Sequence, residues 1–346
     1  MKTHHEELLN AVLDVIESRY AKDVSIMFIY GSYVNGTANE KSDLDMIYVP
    51  KTELGWRLAR TFMLNGSGND LWGVNWERLE RFANYDDMKV SVIADSRLVY
   101  YASEEDKQRY DALKKRAWDT RCGSLTPALV DKAESHLTTA KQYYGELCLG
   151  HNLSAAGGVL LEISDVVCLL NHTYLRFGAK RILEEMSALE RLPAGFIEAF
   201  RAVADVETIE QARAACHTLI TLVSGFLSEV EREIVPRPVP AEFAGLYEEI
   251  SAHWNKIRLS CENGDAINAF LSAASLQDEL DRVQRCLGID ITEMRFVDRY
   301  NPNSLVEFAQ AAQKAEDAFL TLLCDSGVPI SSYTTVDQFK HALMDL

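Results

Sequence analysis

The sequence lacks the features that would mark a membrane or exported protein. No stretch approaches the run of about 18 apolar residues that a helix needs to span a bilayer. Residues 1–20 carry the spacing of an amphipathic helix and lack the apolar core of a signal peptide. We therefore expect a soluble, cytoplasmic protein with no membrane partner.

Paired cysteines are also missing. The seven cysteines are odd in number and widely spaced, and no two of them form a Cys-x-x-Cys motif. Disulfide scaffolds and zinc-binding modules normally show such pairs. The sequence therefore predicts buried free thiols in a reducing compartment.

Basic residues are few relative to acidic ones. The chain has 35 lysines and arginines against 52 aspartates and glutamates, which gives a formal net charge of -17. Nucleic-acid binding normally depends on clustered basic residues, so this balance disfavours a nucleic-acid partner. It is compatible with a cationic small substrate, although many cytosolic proteins are simply acidic.

The most informative stretch begins with two short apolar runs, Val24–Tyr30 and Leu44–Val49, whose composition predicts neighbouring strands. Asp43 and Asp45 lie at the start of the second run. In an extended chain, residues two apart point to one face and lie roughly 7 Å apart. Two such carboxylates repel each other without a cation, and Mg²⁺ prefers hard oxygen ligands. The spacing therefore predicts a magnesium site.

Gly31 and Ser32 end the first of these runs. Glycine allows the backbone to turn sharply, and the serine adds a hydroxyl and an N–H beside the turn. Together with later amides of the loop, they form a candidate cradle for a phosphate. The alternative is a solvent-exposed loop whose aspartates merely begin a strand.

This ordered set of residues resembles the signature of the nucleotidyltransferase superfamily related to DNA polymerase β. The resemblance is carried by Gly31 and Ser32, followed by Asp43 and Asp45 on the next strand. It implies that the Gly-Ser turn holds the triphosphate of ATP or another nucleotide and that the carboxylate pair holds Mg²⁺. It covers residues 29–49 and does not identify the acceptor.

The resemblance also implies a third carboxylate on a later strand. Asp70 is our candidate, because it opens the short apolar run Asp70–Val74. In the family, this position ligates a second metal ion or takes the proton of the acceptor. The alternative is a loop aspartate that precedes a strand.

Between and after these strands, the pattern predicts a helix over Glu53–Leu64 and a long alternating strand over Lys89–Tyr101. The predicted fold is α+β. A small mixed β-sheet with flanking helices forms a nucleotidyltransferase domain at residues 1–120.

Helical periodicity takes over beyond this point. We predict a helical bundle that binds the acceptor at residues 121–235 and a C-terminal helical domain at residues 236–346. Pro236–Pro240 would form a semi-rigid linker between the two. The last domain could serve as a lid, a dimerisation unit or a partner-binding surface, and the sequence does not choose among these roles.

Two acids within the predicted bundle are unusual. Glu162 and Asp165 interrupt a helix that is otherwise apolar, and a buried carboxylate is costly without a partner or a task. One hypothesis is that one of them, with Glu162 as the candidate, faces the active-site cleft and contacts the acceptor or shares the base role. The alternative is salt bridges to basic residues that follow, namely Arg176, Lys180 or Arg181.

The segment Ser154–Pro193 resembles the C-terminal domains of bacterial aminoglycoside and lincosamide nucleotidyltransferases. This resemblance implies transfer of AMP from ATP to a hydroxyl of a small antibiotic, with release of pyrophosphate. One alternative is a toxin-like nucleotidyltransferase that modifies protein or RNA. Another is an inactive scaffold, for which an eroded motif would be expected.

Overall fold

The computed structural model describes residues 4–39, 42–150, 152–234, 243–287 and 294–344. The chain forms two compact units, Met1–Val230 and Glu231–Leu346. The predicted linker Pro236–Pro240 lies outside the described residues. The predicted division between residues 120 and 121 stays a prediction.

The first unit combines a small sheet with helices. In chain order its elements are α1 (His4–Val15, continued by a π-helical turn over Ile16–Tyr20), β1 (Val24–Tyr30), β2 (Asp45–Pro50), α2 (Glu53–Trp56), β3 (Arg60–Leu64), β4 (Ser67–Gly73), α3 (Trp76–Ala83), α4 (Ser91–Ala94), β5 (Arg97–Tyr101), α5 (Glu104–Cys122), α6 (Pro127–Gly150), α7 (Ser154–Leu170), α8 (Ile182–Ser187), α9 (Phe196–Ala204) and α10 (Ile209–Ile234).

Among its described residues, the second unit consists of helices and the loops that connect them. Its helices are α11 (Leu246–Glu262), α12 (Ala266–Leu287), α13 (Leu305–Asp325) and α14 (Val336–Met344). The core formed by α11, α12 and α13 contains the fully buried ring of Trp254. Glu316 is also buried there, and its carboxylate pairs with Arg258 and accepts a hydrogen bond of 2.9 Å from Tyr247. This acid therefore has a structural partner.

The five strands form one mixed sheet in the order β3-β4-β2-β1-β5. The β2–β4 pair is parallel, and the other three pairs are antiparallel. The predicted fold class is confirmed: a small mixed sheet with flanking helices is followed by helical segments.

The central strands β1 and β2 are apolar because both of their faces are covered. Met27 and Ile29 lie in one core with side chains of α1 such as Val12. Phe28 points to the opposite face, where its ring lies 5.5 Å from that of Tyr110 on α5. A strand buried on both sides reads as a continuous apolar run, as observed for β1.

The predicted helix over Glu53–Leu64 is wrong beyond its first turn. Residues 60–64 form strand β3, which pairs with β4 through a tight hairpin. Asn65 and Gly66 both have positive φ, 50° and 84°, which is the conformation that a two-residue hairpin turn requires. As a result β4 begins at Ser67, and Asp70 lies in its middle and not at its start.

The predicted strand over Lys89–Tyr101 is also wrong in its first half. Val92, Ile93 and Ala94 are all buried, and three consecutive buried residues do not fit a strand with one solvent-exposed face. They form the short helix α4 instead. Its end is fixed by Ser96, whose hydroxyl donates to the Ile93 carbonyl at 2.7 Å. Only the second half of the segment pairs with β1, as β5.

Among the described residues, no helix combines the length and the apolar character needed to cross a bilayer. The six cysteines whose side chains are described are free thiols. Cys168, Cys216 and Cys261 are buried, whereas Cys122 and Cys324 are exposed and depart from the expectation of burial.

The α6–α7 hairpin is closely packed at Gly158. A Cβ at this position would lie 2.7 Å from the ring of Tyr143 on α6, which is closer than side chains tolerate. Gly157, one residue earlier in the same helix, has open space at the equivalent point. The two glycines thus provide a matched pair for testing how tightly the helices pack.

We expect Gly158→Ala to lower the melting temperature of the protein, because the added methyl group forces α6 and α7 apart. Gly157→Ala should raise stability slightly, by roughly 0.5–1 kcal/mol, because alanine favours a helix over glycine. Thermal unfolding followed by circular dichroism measures both changes. Equal effects of the two substitutions would contradict the packing described here.

Candidate active site

The candidate site begins where β2 enters the sheet. Asp45 is the first residue of β2, and it lies opposite Tyr30 on β1 and Asp70 on β4. Neighbouring strands are about 4.8 Å apart, so the sheet itself brings Asp45 and Asp70 side by side. Two acids that are 25 residues apart in sequence are thus neighbours in the sheet.

The backbone just before β2 is held in place by the buried side-chain amide of Asn69. Leu44 is fully buried, and its N–H donates to the Oδ1 of Asn69 at 3.1 Å. Asn69 is itself buried, and its amide donates to the carbonyl of Ser67 at 3.1 Å. This bond holds Leu44 in place, and the two aspartates that flank it, Asp43 and Asp45, are partly exposed. Sequence reasoning missed Asn69, although a polar amide at an inward position of β4 was a usable signal.

Asp70 is oriented by its other neighbour in the sheet. The hydroxyl of Thr61 on β3 donates to Asp70 Oδ1 at 2.5 Å. Asp70 is exposed, so its second oxygen remains accessible from solvent. The hydrogen bond from Thr61 therefore fixes the orientation of the Asp70 carboxylate and leaves the residue exposed.

The surroundings of Asp45 disfavour its charged form. The pKa of Asp45 is raised from 3.8 to about 6, first by burial and then by the charges of Asp43 and Asp70. Lys180 and a hydrogen bond from Tyr30 act in the opposite direction. The pKa of Tyr30 is raised well above its ordinary value by burial and by the same acids, so its hydroxyl stays protonated and donates to Asp45.

The turn after β1 is built against Asp45. Gly31 has a φ of +73°, which favours glycine, and a Cβ at this position would lie 2.1 Å from Asp45 Oδ2. The carbonyl of Ser32 accepts the N–H groups of Thr37 and Ala38 at 2.9 and 3.1 Å, which closes the turn. The Ser32 hydroxyl is buried and has no hydrogen-bond partner among the described residues. Such an orphaned donor is what a phosphate oxygen would satisfy.

A cavity of about 380 Å³ opens beside this turn. Its lining includes Tyr30, Gly31, Ser32 and Asp45. The rest of the lining includes a basic segment between α7 and α8, formed by Arg176, Phe177, Gly178, Lys180 and Arg181. Sequence reasoning considered these basic residues only as salt-bridge partners of Glu162, so it missed their position in the cavity.

The basic segment is held firmly at its start. The guanidinium of Arg176 lies 2.9 Å from a carboxylate oxygen of Asp95, whose side chain is 3% exposed. Glu185 on α8 accepts the backbone N–H groups of Arg176 and Phe177 at 2.6 and 2.9 Å. These contacts attach the segment both to the end of α4 and to α8.

The structure does not bring Glu162 to this cavity. Its carboxylate lies 2.7 Å from the Nδ1 of His136 on α6, and the basic residues proposed as its partners lie along the cavity wall instead. Arg176 is paired with Asp95 and Arg181 with Glu184. The hypothesis that Glu162 contacts the acceptor therefore has no support from its position.

The carboxylates of Asp43, Asp45 and Asp70 do not all converge on one point. Among the described residues, the one set of three potential metal-ligating groups whose ligand atoms lie within 4.8 Å of one another is elsewhere, on α6 and α7. A pair of carboxylates, such as Asp45 with its sheet neighbour Asp70, is nevertheless a normal complement for Mg²⁺, which keeps several water or phosphate ligands. The oxygen-only donor set and the unpaired Ser32 hydroxyl fit a metal-bound phosphate.

Comparison with known proteins gives little guidance. No protein-family model matches the sequence, and no curated protein matches it. Among solved structures, the chain is similar to a nucleotidyltransferase-like protein from Exiguobacterium sibiricum 255-15. The identity is 13% and the TM-score 0.34, over 66% of this chain and 81% of that chain. A similarity at this level assigns neither a family nor an activity.

We expect Gly31→Ala to damage the site more than Gly36→Ala does. Both glycines have φ near +72°, so both substitutions introduce backbone strain of roughly 1–2 kcal/mol. Only the methyl group at residue 31 collides with Asp45, because Gly36 has open space around it. Binding of a fluorescent ATP analogue in the presence of Mg²⁺, measured beside thermal unfolding, should fall at least about tenfold for Gly31→Ala alone. Equal loss of binding in the two variants would show that the turn and Asp45 are not coupled.

The raised pKa of Asp45 predicts a pH-dependent stability. Between pH 3.8 and about 6 the folded state binds more protons at this group than the unfolded state, so stability falls as pH rises through this window. Asp45→Asn removes the penalty and should stabilise the protein at pH 7.5 by about 1 kcal/mol, a value reduced for solvent screening. At pH 4 the substitution should have little effect.

Urea unfolding at pH 4 and pH 7.5 measures this difference. Adding Mg²⁺ at pH 7.5 should stabilise the wild-type chain and leave Asp45→Asn nearly unchanged. A variant that is less stable than wild type at pH 7.5 without Mg²⁺ would show that Asp45 is stabilised, and not strained, by its surroundings.

Proposed function

We propose that this chain is a metal-dependent nucleotidyltransferase of the DNA polymerase β-like superfamily. It transfers a nucleoside monophosphate, AMP from ATP in the first instance, to a hydroxyl of a small acceptor and releases pyrophosphate. The proposal is carried by one observation: a single cavity is lined by the Asp45 carboxylate, by Ser32 with its unpaired hydroxyl, and by a basic segment.

This distribution of charge matches a nucleoside triphosphate with its metal ion. Phosphate oxygens carry negative charge and are bound by lysine, arginine and hydroxyl groups. A carboxylate such as that of Asp45 repels the same phosphates unless a divalent cation lies between them. A site that combines both kinds of residue therefore suits a metal-bound triphosphate better than a free anion or a simple cation.

Mg²⁺ is the cation that this donor set fits, since every candidate ligand is a carboxylate oxygen. Asp45 together with Asp43 or Asp70 would hold it. When bound, it neutralises charge that develops on the attacking and leaving oxygens.

The remaining roles fall to residues of the chain. Ser32 would donate its hydroxyl to a phosphate oxygen, beside the tight turn at Gly31. Lys180 and Arg176, in the basic segment, would bind phosphate oxygens and orient the chain of phosphates. Such catalysis depends on positioning and electrostatics more than on covalent chemistry.

The bond changes are those of an in-line displacement. The acceptor oxygen forms a bond to the α-phosphorus while the bond from that phosphorus to the pyrophosphate oxygen breaks. Asp70 is our candidate for the base that receives the acceptor proton, because Thr61 occupies only one of its two oxygens. Glu162 has no place in this scheme.

For the acceptor, we propose a cationic small molecule with a free hydroxyl, of the aminoglycoside or lincosamide antibiotic type. A volume of about 380 Å³ lies within the range of small-ligand sites, roughly 300–1,000 Å³. The acids at Asp43, Asp45 and Asp70 and the negative net charge favour a cationic acceptor over an anionic one. On this proposal the protein would contribute to antibiotic resistance.

We expect Asp43→Asn and Asp45→Asn to reduce nucleotidyl transfer by on the order of 10²–10³-fold or more, because each removes a charge that balances the metal ion. Asp119→Asn is the matched control, since Asp119 is an exposed acid that pairs with Lys115 on α5. Release of pyrophosphate with Mg²⁺, ATP and an active acceptor measures the loss. Near-full activity of Asp45→Asn would overturn the assignment.

Acceptor class is tested with radiolabelled ATP and other nucleoside triphosphates in the presence of Mg²⁺. The acceptor panel contains aminoglycosides, lincosamides, RNA and proteins. Labelled antibiotic is the expected product. Labelled protein or RNA in its place would retain the transfer chemistry and reject the small-molecule acceptor, and no labelled product with any member would count against transfer itself.

A further inference from the structure

Three potential metal-ligating side chains meet between α6 and α7, outside the cavity described above. The Nδ1 of His136 lies 2.7 Å from Glu162 Oε2 and 3.9 Å from Asp165 Oδ2. All three ligand atoms are within 4.8 Å of one another. Ligand atoms that lie about 2.0–2.2 Å from one zinc ion are roughly 3–3.5 Å apart, so only small adjustments separate this arrangement from a coordination site.

The helices hold these side chains on a rigid frame. Glu162 and Asp165 are three residues apart and therefore share one face of α7, while His136 projects from α6. The close contact between Gly158 and Tyr143 keeps the two helices together one turn before Glu162. Each of the three side chains is 21–25% exposed, so an ion can reach the cluster while most of it is shielded from water.

The two acids of the cluster carry more negative charge than the neighbouring basic residues neutralise. In the part of the chain that the structure describes, the recorded ion pairs of Glu162 and Asp165 are both with His136. The nearby cations have other partners, since Lys132 pairs with Asp86, and Arg78 with Asp87.

The local pKa shifts agree with this excess. The pKa of Asp165 is raised to about 7, chiefly by burial; the charge of His136 opposes this shift, and the charges of Glu162 and Asp87 add to it. The hydrogen bond to Glu162 raises the pKa of His136.

We propose that His136, Glu162 and Asp165 bind one divalent cation of the zinc class, with water completing its coordination. Imidazole together with carboxylates is a ligand set that zinc accepts, whereas Mg²⁺ prefers oxygen ligands alone. This site is distinct from the magnesium site proposed at Asp43, Asp45 and Asp70. Because its ligands come from both helices, bound zinc joins α6 to α7.

Zinc titration of the untagged, full-length protein by isothermal calorimetry tests this proposal. The background carries Cys122→Ser and Cys324→Ser, which removes the two exposed thiols. We expect one zinc ion per chain, with affinity at least about tenfold weaker in His136→Gln and in Asp165→Asn. Because imidazole and carboxylate groups must lose their protons to bind a metal ion, binding should also weaken as the pH is lowered.

Two controls isolate the cluster. His217→Gln removes an exposed histidine whose ring contacts Tyr144, and it should bind zinc as the background does. Asp45→Asn alters the other proposed metal site and should also keep the zinc affinity, which separates this proposal from the proposed function.

Without metal, Asp165→Asn should be at least as stable as the background, because it removes like-charge repulsion. Absence of zinc binding, or equal binding by every variant, would overturn the proposal.

Discussion

The close approach between the Gly31 backbone and the Asp45 carboxylate is the constraint on which the candidate site depends. A turn of left-handed conformation and the first residue of β2 occupy adjoining space that no side chain at residue 31 could share. The antiparallel β1–β2 pair enforces this approach, since Tyr30 and Asp45 are register partners. The sheet thereby places an acid directly against the backbone that turns away from β1.

Holding the Asp45 carboxylate in this position is electrostatically unfavourable. Asp45 is partly buried next to two other acids, and its pKa is raised accordingly. A hydrogen bond from Tyr30 and the charge of Lys180 offset only part of this effect. Perturbed groups of this kind cluster at functional sites because they become favourable when a ligand is bound. The proposed triphosphate and metal ion would supply that compensation.

Several features were readable from the sequence because they are local. Gly31 and Ser32, followed by Asp43 and Asp45, lie within one strand-turn-strand segment, and the predicted strands of that segment exist in the structure. The mixed fold class and most of the long helices also follow from periodicity. Asp70 was assigned to a strand, and the structure places it beside Asp45, although in mid-strand.

Other features were misjudged because tertiary pairing overrides local pattern. Residues 60–64 carry no strong strand signal of their own, and they become β3 because the Asn65-Gly66 turn folds them back onto β4. Residues 91–94 are apolar enough for a strand, but they form a short helix with Val92, Ile93 and Ala94 buried. Glu162 was singled out as a candidate for the cleft, whereas in the structure its carboxylate contacts His136 on the neighbouring helix.

By itself the sequence determined the fold class and the short segment that carries the glycine, the serine and the paired aspartates, because strand alternation and turn chemistry act over a few residues. Only the tertiary structure decided what lies around that segment. Asn69 and the basic residues Arg176 and Lys180 reach the site from distant parts of the chain, through sheet register and helix packing. Such contacts depend on long-range complementarity between surfaces, and a single sequence read along its length does not encode them in any local pattern.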